Sequence, residues 1–255
     1  MVFINHRYVY YFKDKLSQLL GKKYLDDFDW GLYSEHYRGE LTEISKIHTL
    51  ILKPNDYVVV DGRLKLNSEK VLPLHPNHRL LYETILELAP TSLIEIGCGG
   101  GDHLFNLSIL GPNISLYGVE LSQEQLEFLF IRHPGINANL RRLDVTLPHP
   151  LNSPQVDLAY TQAVIMHLQT GNNYLVALAN LFKYAKKQVI LVENWKKHNF
   201  MESIKYLYKN NMLPWESIFF YYRESEESHT TRIMIISAER LHYQELTNYA
   251  QLGGD

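Results

Sequence analysis

The chain has 255 residues, of which 45% are hydrophobic and 21% charged, an ordinary globular composition. Its formal net charge is −3 and no lysine–arginine stripe stands out, so nothing in the sequence favours a nucleic-acid partner. The single cysteine, Cys98, excludes an intramolecular disulfide and a cysteine-based zinc cluster. We therefore expect a protein of a reducing, cytoplasmic compartment, with neither a signal peptide nor a membrane span.

Residues 1–80 are aromatic-rich and irregular, and we interpret them as a lid or substrate-binding extension. Amphipathic helices are predicted over residues 6–27 and within residues 29–52. Tyr57–Val60 and Arg63–Leu66 flank Asp61-Gly62, a pair that tolerates the positive φ angles of a tight turn, and together they predict a β-hairpin. A helix is then predicted over residues 77–89, with Asn77 as its N-cap.

From residue 92 onward, apolar strand patterns alternate with helical ones. Alternation with helical crossovers predicts a parallel sheet covered by helices on both faces. The last two strands follow each other without a helix and must therefore be antiparallel. The predicted strands are SLIEIG (92–97), ISLYGVEL (114–121), NANLRRLDV (137–145), QVDLAYTQ (155–162), QVILVEN (188–194), SIFFYYRE (217–224) and TRIMIISA (231–238). We assign residues 81–240 to this domain and residues 241–255 to a C-terminal tail.

The first of these strands runs into a glycine-rich turn, EIGCGGGDH. A strand-to-helix loop in such a sheet lies at the carboxyl edge, where ligands bind. Gly97, Gly99 and Gly101 give the spacing G-x-G-x-G, whereas a dinucleotide fingerprint needs G-x-G-x-x-G. Asp102 follows at the helix start, where it would repel a pyrophosphate. The loop therefore favours a ligand without phosphate.

These residues resemble the class I S-adenosylmethionine-dependent methyltransferases. The resemblance covers about residues 92–237, with EIGCGGG as the first motif and acids at the ends of the next two strands. It implies a Rossmann-like, seven-stranded methyltransferase sheet with an antiparallel last strand, here with an N-terminal helical and hairpin extension. It also implies a methyltransferase whose cofactor is S-adenosylmethionine. This cofactor is a sulfonium cation without phosphate, so nearby carboxylates, Glu95 and Asp102 among them, would favour its binding.

The resemblance also implies roles for single residues. In that family the acid at Glu120 binds the ribose hydroxyls, while the acid at Asp144 faces the adenine amino group and the N–H of Val145 faces the ring. Asp144 could instead cap the following turn. Cys98 is interpreted as a small buried residue and not as a nucleophile. The complete predicted cofactor-binding set is Glu95, Gly97, Cys98, Gly99, Gly101, Glu120, Leu121, Asp144, Val145 and Gln162.

Acceptor-side residues are expected where the fourth and fifth strands of this sheet end. His167 could serve as a general base or as a packed turn residue, and Glu193 is a second catalytic candidate. Asn194 and Trp195 leave the fifth strand beside it and are candidate substrate-binding residues. His75 and His78 could form part of a lid over the donor. They are also spaced for a metal ion, but no third ligand is evident, so we expect no metal.

The predicted reaction is methyl transfer to a hydroxyl or amine of a small polar or sugar-like acceptor, either a small molecule or a glycan. The turn YTQA after the fourth strand lacks the N/D-P-P-Y/F signature of methylation on the amino groups of nucleic-acid bases. Two other functions remain open. One is an aminopropyltransferase of the spermidine-synthase type, suggested by GGGDH and the hairpin. The other is a non-catalytic subunit that binds S-adenosylmethionine. A homodimer is one assembly to test.

Overall fold

The structure is a computed structural model that describes residues 49–148, 155–169 and 171–253. The helix predicted over residues 6–27 and most of the helix predicted within residues 29–52 lie outside the described residues. Residues 49–52 are not helical. No helix in the described segments is long and apolar enough to cross a membrane.

Strands and helices alternate along the chain as predicted. The strands are β1 (Tyr57–Val60), β2 (Arg63–Leu66), β3 (Ser92–Ile96), β4 (Ser115–Glu120), β5 (Ala138–Arg142), β6 (Val156–Gln162), β7 (Ala185–Val192), β8 (Phe219–Ser225), β9 (Ser228–Ser237) and β10 (Gln244–Glu245). The helices are α1 (Pro76–Leu88), α2 (Asp102–Leu110), α3 (Gln123–Arg132), α4 (Asn173–Tyr184) and α5 (Phe200–Lys209). Short 3₁₀ turns span Ile165–His167 and Tyr249–Leu252.

The main sheet has the strand order β10-β8-β9-β7-β6-β3-β4-β5. Strands β5, β4, β3, β6 and β7 are parallel, and β9 runs antiparallel to both β7 and β8. The Rossmann-like α/β fold is thus confirmed, with the two-residue strand β10 added at one edge of the seven predicted strands. The carboxyl ends of the parallel strands meet at one edge of the sheet, which places the loops that follow them side by side.

Helices cover both faces of the sheet. Side chains alternate between the faces along each strand, as the twofold period of a strand requires. On β3, Leu93 packs in a core with residues of α1, α2 and α3, while Ile94 and Ile96 pack in a second core with residues of α4 and α5. The near-continuous apolar sequence of β3 follows from this burial on both faces.

The predicted hairpin is present. β1 and β2 pair antiparallel from Tyr57↔Leu66 to Val60↔Arg63. Asp61 and Gly62 in the turn have φ angles of 52° and 73°. The hairpin packs on α1, where the buried Leu64 donates its N–H to Glu83 Oε1 at 2.9 Å.

Two helix boundaries differ from the sequence prediction. The N-cap of α1 is His75 and not Asn77: Nδ1 of His75 accepts the N–H of Asn77, because Pro76 occupies the first helical position and has no N–H to offer. The pattern NNYLVALANLFKYAKK predicts a helix that continues to Lys187, but α4 ends at Tyr184, since Ala185 already pairs with Val156 of β6.

Candidate active site

The glycine turn between β3 and α2 has a backbone that only glycine fits at two positions. Gly97 and Gly101 have φ angles of 73° and 77°. A Cβ at Gly97 would lie 2.5 Å from a methyl of Val164, and one at Gly101 would lie 2.5 Å from Leu129. The N–H groups of Gly97 and Cys98 both donate to Val119 O. The turn is therefore fixed against β4 and against the loop that follows β6.

A cavity of about 310 Å³ opens beside this turn at the carboxyl edge of the sheet. Its wall includes all ten predicted cofactor-binding residues and also His167 and His78. Those ten are Glu95, Gly97, Cys98, Gly99, Gly101, Glu120, Leu121, Asp144, Val145 and Gln162. Thr49 and His103 line it as well. We call this space the donor cavity.

Glu120 ends β4 at the wall of this cavity and holds two loops. Its Oε2 accepts the N–H of Gly99, and its Oε1 accepts the N–H of Ser122, both at 2.9 Å. Burial raises the pKa of Glu120, while hydrogen bonds from these backbone groups oppose the rise. The carboxylate that the sequence assigns to the ribose thus also positions the glycine turn.

Asp144 caps the turn after β5, because its Oδ1 accepts both the N–H and the hydroxyl of Thr146. The buried Asn180 of α4 donates its amide to the carbonyls of Val145 and Leu147, each at 2.8 Å. Asn180 therefore holds in place the backbone segment that carries Asp144 and Val145 in the cavity wall. Sequence reasoning missed it, since an asparagine inside a helix carries no local signal of the loop that it holds.

Glu95 is the most strongly desolvated acid in the wall of the donor cavity. It is 2% exposed, and its Oε2 makes no hydrogen bond with the described residues. Burial raises its pKa well above the ordinary value; nearby Asp102 and Glu120 add to the rise, and the neighbouring Tyr160 hydroxyl opposes it. The Oε2 atom, left without a partner in the wall of a cavity, is suited to a ligand that donates a hydrogen bond.

Asp102 does not act as a second free carboxylate. Its oxygens accept hydrogen bonds from Nε and Nη2 of Arg132, and its Oδ1 lies 2.7 Å from Nε2 of His133. Asp102 lines the donor cavity but is paired with Arg132, so its attraction for the sulfonium or ammonium group stays a prediction. Asp102 also ties the start of α2 to the end of α3.

One side of the donor cavity is built by a polar network that the sequence did not reveal. His103 Nδ1 lies 2.7 Å from the Tyr82 hydroxyl, which accepts an N–H of Asn106. Asn106 in turn holds the backbone of Leu50 and Leu52. Burial lowers the pKa of His103 to about 4, so its ring is neutral at neutral pH. The network fastens the segment that carries Thr49 to the cavity wall.

A second cavity adjoins the donor cavity, and both are lined by Gln162 and Ala163. Asn194 and Trp195 line this second cavity, together with Asn77, Lys196, Thr230 and Arg232. Ala163, which lines both spaces, has a φ angle of 53°, a left-handed conformation that is rare for alanine. We call this second space the acceptor cavity.

Glu193 lines the acceptor cavity, but its oxygens are occupied. Oε1 accepts the Thr161 hydroxyl and the N–H groups of Val164 and Ile165, and Oε2 accepts the N–H of Met166. Burial raises the pKa of Glu193 to about 7, against the lowering effect of these four bonds. Glu193 therefore holds the 3₁₀ turn after β6, which makes it a positioning residue.

The predicted histidines lie in different places. His167 ends that 3₁₀ turn and lines the donor cavity, where burial, and then the charge of Lys197, lower its pKa. His78 lines the same cavity and packs edge-on against His103 at 4.7 Å. His75 is exposed and caps α1, so it lines neither cavity. His198 also lies in neither cavity, and it stacks on Tyr174 at 4.3 Å.

Trp195 is mostly core. It is 8% exposed, packs edge-on against Phe200, and its carbonyl accepts the hydroxyl of Tyr249. Within the described residues there is no group of three or more histidine, cysteine, aspartate or glutamate side chains placed to hold a metal ion.

Comparison with known proteins identifies the domain. Residues 94–192 match the family model described as "Methyltransferase domain". The amino pentose methyltransferase CalS10 of Micromonospora echinaspora, solved with bound SAM, is 13% identical over 65% of this chain and 91% of that chain, with a TM-score of 0.50. The methyltransferase domain of bacterial CtHen1 is 18% identical over 64% and 98%, with a TM-score of 0.50. The plantazolicin methyltransferase BpumL is 14% identical over 65% and 82%, with a TM-score of 0.48.

No curated protein matches the chain in sequence. At these identities, the two structures with a TM-score of 0.50 establish the fold, and the family match establishes the domain. Residues 94–192 form a methyltransferase domain, and the chain shares its fold with the methyltransferase CalS10, solved with bound SAM. These findings support the predicted enzyme class and the predicted cofactor, S-adenosylmethionine.

Replacing Gly97 tests the constraint on the glycine turn. Gly97→Ala adds both left-handed strain and a clash with Val164, so we expect a loss of roughly 2–4 kcal/mol in the free energy of unfolding. The matched control is Gly135→Ala, where φ is 81° but nothing lies within 4 Å of the new Cβ. Chemical denaturation of both variants measures the difference, and equal losses would contradict the proposed contact.

The burial of Glu95 predicts a pH-dependent stability. The pKa of Glu95 is raised in the folded state, so its bound proton stabilises the fold. This stabilisation is complete below the ordinary glutamate pKa of 4.5 and is lost as pH rises through the folded pKa. The slope in that window is at most about 1.4 kcal/mol per pH unit. Glu95→Gln should flatten this part of the stability profile, whereas Glu127→Gln on the exposed face of α3 should not. Superimposable profiles for Glu95→Gln and the parent chain would refute the prediction.

Proposed function

We propose that the donor cavity binds S-adenosylmethionine and that the acceptor cavity holds a small polar or sugar-like molecule, which is methylated on a hydroxyl or amine. The observation that carries the proposal is the wall shared by the two cavities. Gln162 and Ala163 line both, so a reacting group can be placed between donor and acceptor. Holding two reactants in contact is the main contribution that a protein makes to such a transfer.

The residues of the donor cavity suit the cofactor. Its volume of about 310 Å³ is within the range of small-molecule sites. Glu95 offers an unpartnered carboxyl oxygen to the ammonium group, and Glu120 and Asp144 offer carboxylates to the ribose hydroxyls and the adenine amino group.

Bound S-adenosylmethionine supplies an electrophilic methyl group on sulfur. An acceptor oxygen or nitrogen held beside it would take this methyl group, and the sulfur would keep the electron pair of the broken carbon–sulfur bond. The acceptor proton must leave, and we assign His167 to take it, since its lowered pKa keeps the ring neutral near pH 7. Glu193 contributes by holding the backbone of the turn that carries His167.

The N-terminal part of the chain contributes to both cavities. Thr49 and His78 line the donor cavity, and Asn77 lines the acceptor cavity. This placement supports our proposal that residues 1–80 act as a lid that excludes water from the reaction. The absence of a nucleic-acid partner, the cytoplasmic location and a homodimer remain predictions.

Donor binding is tested by calorimetry with S-adenosylhomocysteine. Glu120→Ala and Asp144→Ala should each weaken binding by roughly 1–3 kcal/mol, because each strands hydrogen-bond donors of the ligand. Glu127→Ala is the control, since Glu127 is exposed on α3 and lies outside the cavity. Unchanged affinity in both cavity variants would remove the assignment of this space to the donor.

The role of His167 is tested by turnover. A positioned base contributes roughly 10²–10⁴-fold to the rate, so His167→Ala should lower turnover at least about ten-fold while leaving affinity for S-adenosylhomocysteine nearly intact. His242→Ala provides an exposed control. Full activity of a well-folded His167→Ala variant would reject the base, and a loss of folding would support a purely structural role.

A further inference from the structure

Two cationic side chains, Lys196 and Arg232, line the acceptor cavity. Arg232 is paired with Glu224, which is not part of the wall. Glu193 is the one carboxylate among the described residues of its wall, and its oxygens already accept four hydrogen bonds. The cavity therefore presents two cationic side chains and a carboxylate whose hydrogen-bonding capacity is used within the protein.

Arg232 is fixed in place but retains donors. Its Nε pairs with Glu224 Oε2 at 3.1 Å, and its Nη1 lies beside Gly253. A guanidinium group has five N–H donors, of which the Nε bond uses one. The pairing with Glu224 therefore orients the planar group and leaves the terminal nitrogens to bind an anion in a bidentate manner. Lys196, by contrast, is exposed and makes no ion pair with the described part of the chain.

Asn194 adds a neutral donor to the same wall. Its Oδ1 accepts the N–H of Lys196 at 3.1 Å. What this side chain can offer a ligand is therefore its NH₂ group. Arg232, Lys196 and Asn194 thus present the same kind of group, an N–H donor, to whatever occupies the acceptor cavity. A carboxylate or phosphate has the matching set of acceptor oxygens.

Where the acceptor cavity meets the donor cavity, the wall by contrast presents a hydrogen-bond acceptor. Gln162 lines both spaces, and its Oε1 is buried without a hydrogen-bond partner among the described residues. A buried acceptor of this kind costs free energy unless a ligand donates to it. A hydroxyl or amine on the acceptor, next to the methyl group, would supply that donor.

We propose that the acceptor is itself an anion. Its carboxylate or phosphate binds Arg232 and Lys196, and its reacting hydroxyl or amine donates to Gln162 Oε1. This inference rests on the proposed function and narrows its acceptor to one chemical class. Gln162 then positions the reacting group, and Arg232 selects the molecule by charge.

The test uses the intact chain saturated with S-adenosylhomocysteine, with inorganic phosphate and acetate as separate probes. The reporter is the indole N–H of Trp195 in proton–nitrogen NMR spectra, assigned with Trp195→Phe, since Trp195 lines the acceptor cavity. We expect saturable shifts with at least one probe. Tighter binding of phosphate indicates a phosphorylated acceptor, and tighter binding of acetate indicates a carboxylic acid.

Arg232→Gln and Lys196→Gln should each weaken probe binding at least about five-fold, as expected for the loss of a charge-assisted hydrogen bond. Arg232→Lys should retain part of the affinity. Arg240→Gln, an exposed arginine just beyond β9, should change nothing. No saturable shift with either probe, or equal affinities in the cavity variants and the control, overturns the proposal.

The same samples separate this inference from the proposed function. S-adenosylhomocysteine binding without probe binding refutes the anionic acceptor alone. A chain that does not bind S-adenosylhomocysteine refutes the donor site, and the probe titration of the ligand-free protein then still decides whether Arg232 and Lys196 form an anion site.

Discussion

The carboxylate of Glu120 is the interaction on which the donor side depends. It accepts one N–H from the glycine turn, at Gly99, and one from the segment that starts α3, at Ser122. Two loops that leave different strands are thereby joined through one side chain at the carboxyl edge. Parallel strands bring the loops that follow them to the same edge of the sheet. The fold therefore places the two loops close together, and Glu120 fixes their positions relative to each other. A residue that shapes the site is therefore also one that we assign to the ligand.

On the acceptor side, a second carboxylate at the end of a different strand also accepts backbone N–H groups. Glu193 leaves β7 and gathers three consecutive backbone N–H groups, from Val164 to Met166, into the turn that ends at His167. Removing a buried acceptor of several N–H groups is costly, because each of them would be left unsatisfied. Its raised pKa reflects this burial and is no sign of catalysis. Two carboxylates, Glu120 and Glu193, thus organise backbone on the two sides of the site.

Much of the donor side could be predicted from the sequence because its signals are local. The spacing of Gly97, Gly99 and Gly101, and the acids that end β4 and the segment after β5, are read directly along the chain. The contacts that sequence reasoning missed depend on distant partners. Asp102 looks like a free acid until Arg132, thirty residues later, is folded against it. The role of Asn180 and the network from His103 to Asn106 are equally non-local, and no short motif encodes them.

The main chain at Ala163, which both cavities share, has a left-handed conformation. Its N–H donates to Val192 O at 2.9 Å, so this shared edge is also tied to the end of β7. An edge made of backbone cannot be enlarged or trimmed by exchanging side chains, and any shift in it would alter both spaces at once. Under the proposed function, we therefore expect acceptor preference to change through Thr230, Arg232 and Leu252, which line the acceptor cavity and not the donor cavity.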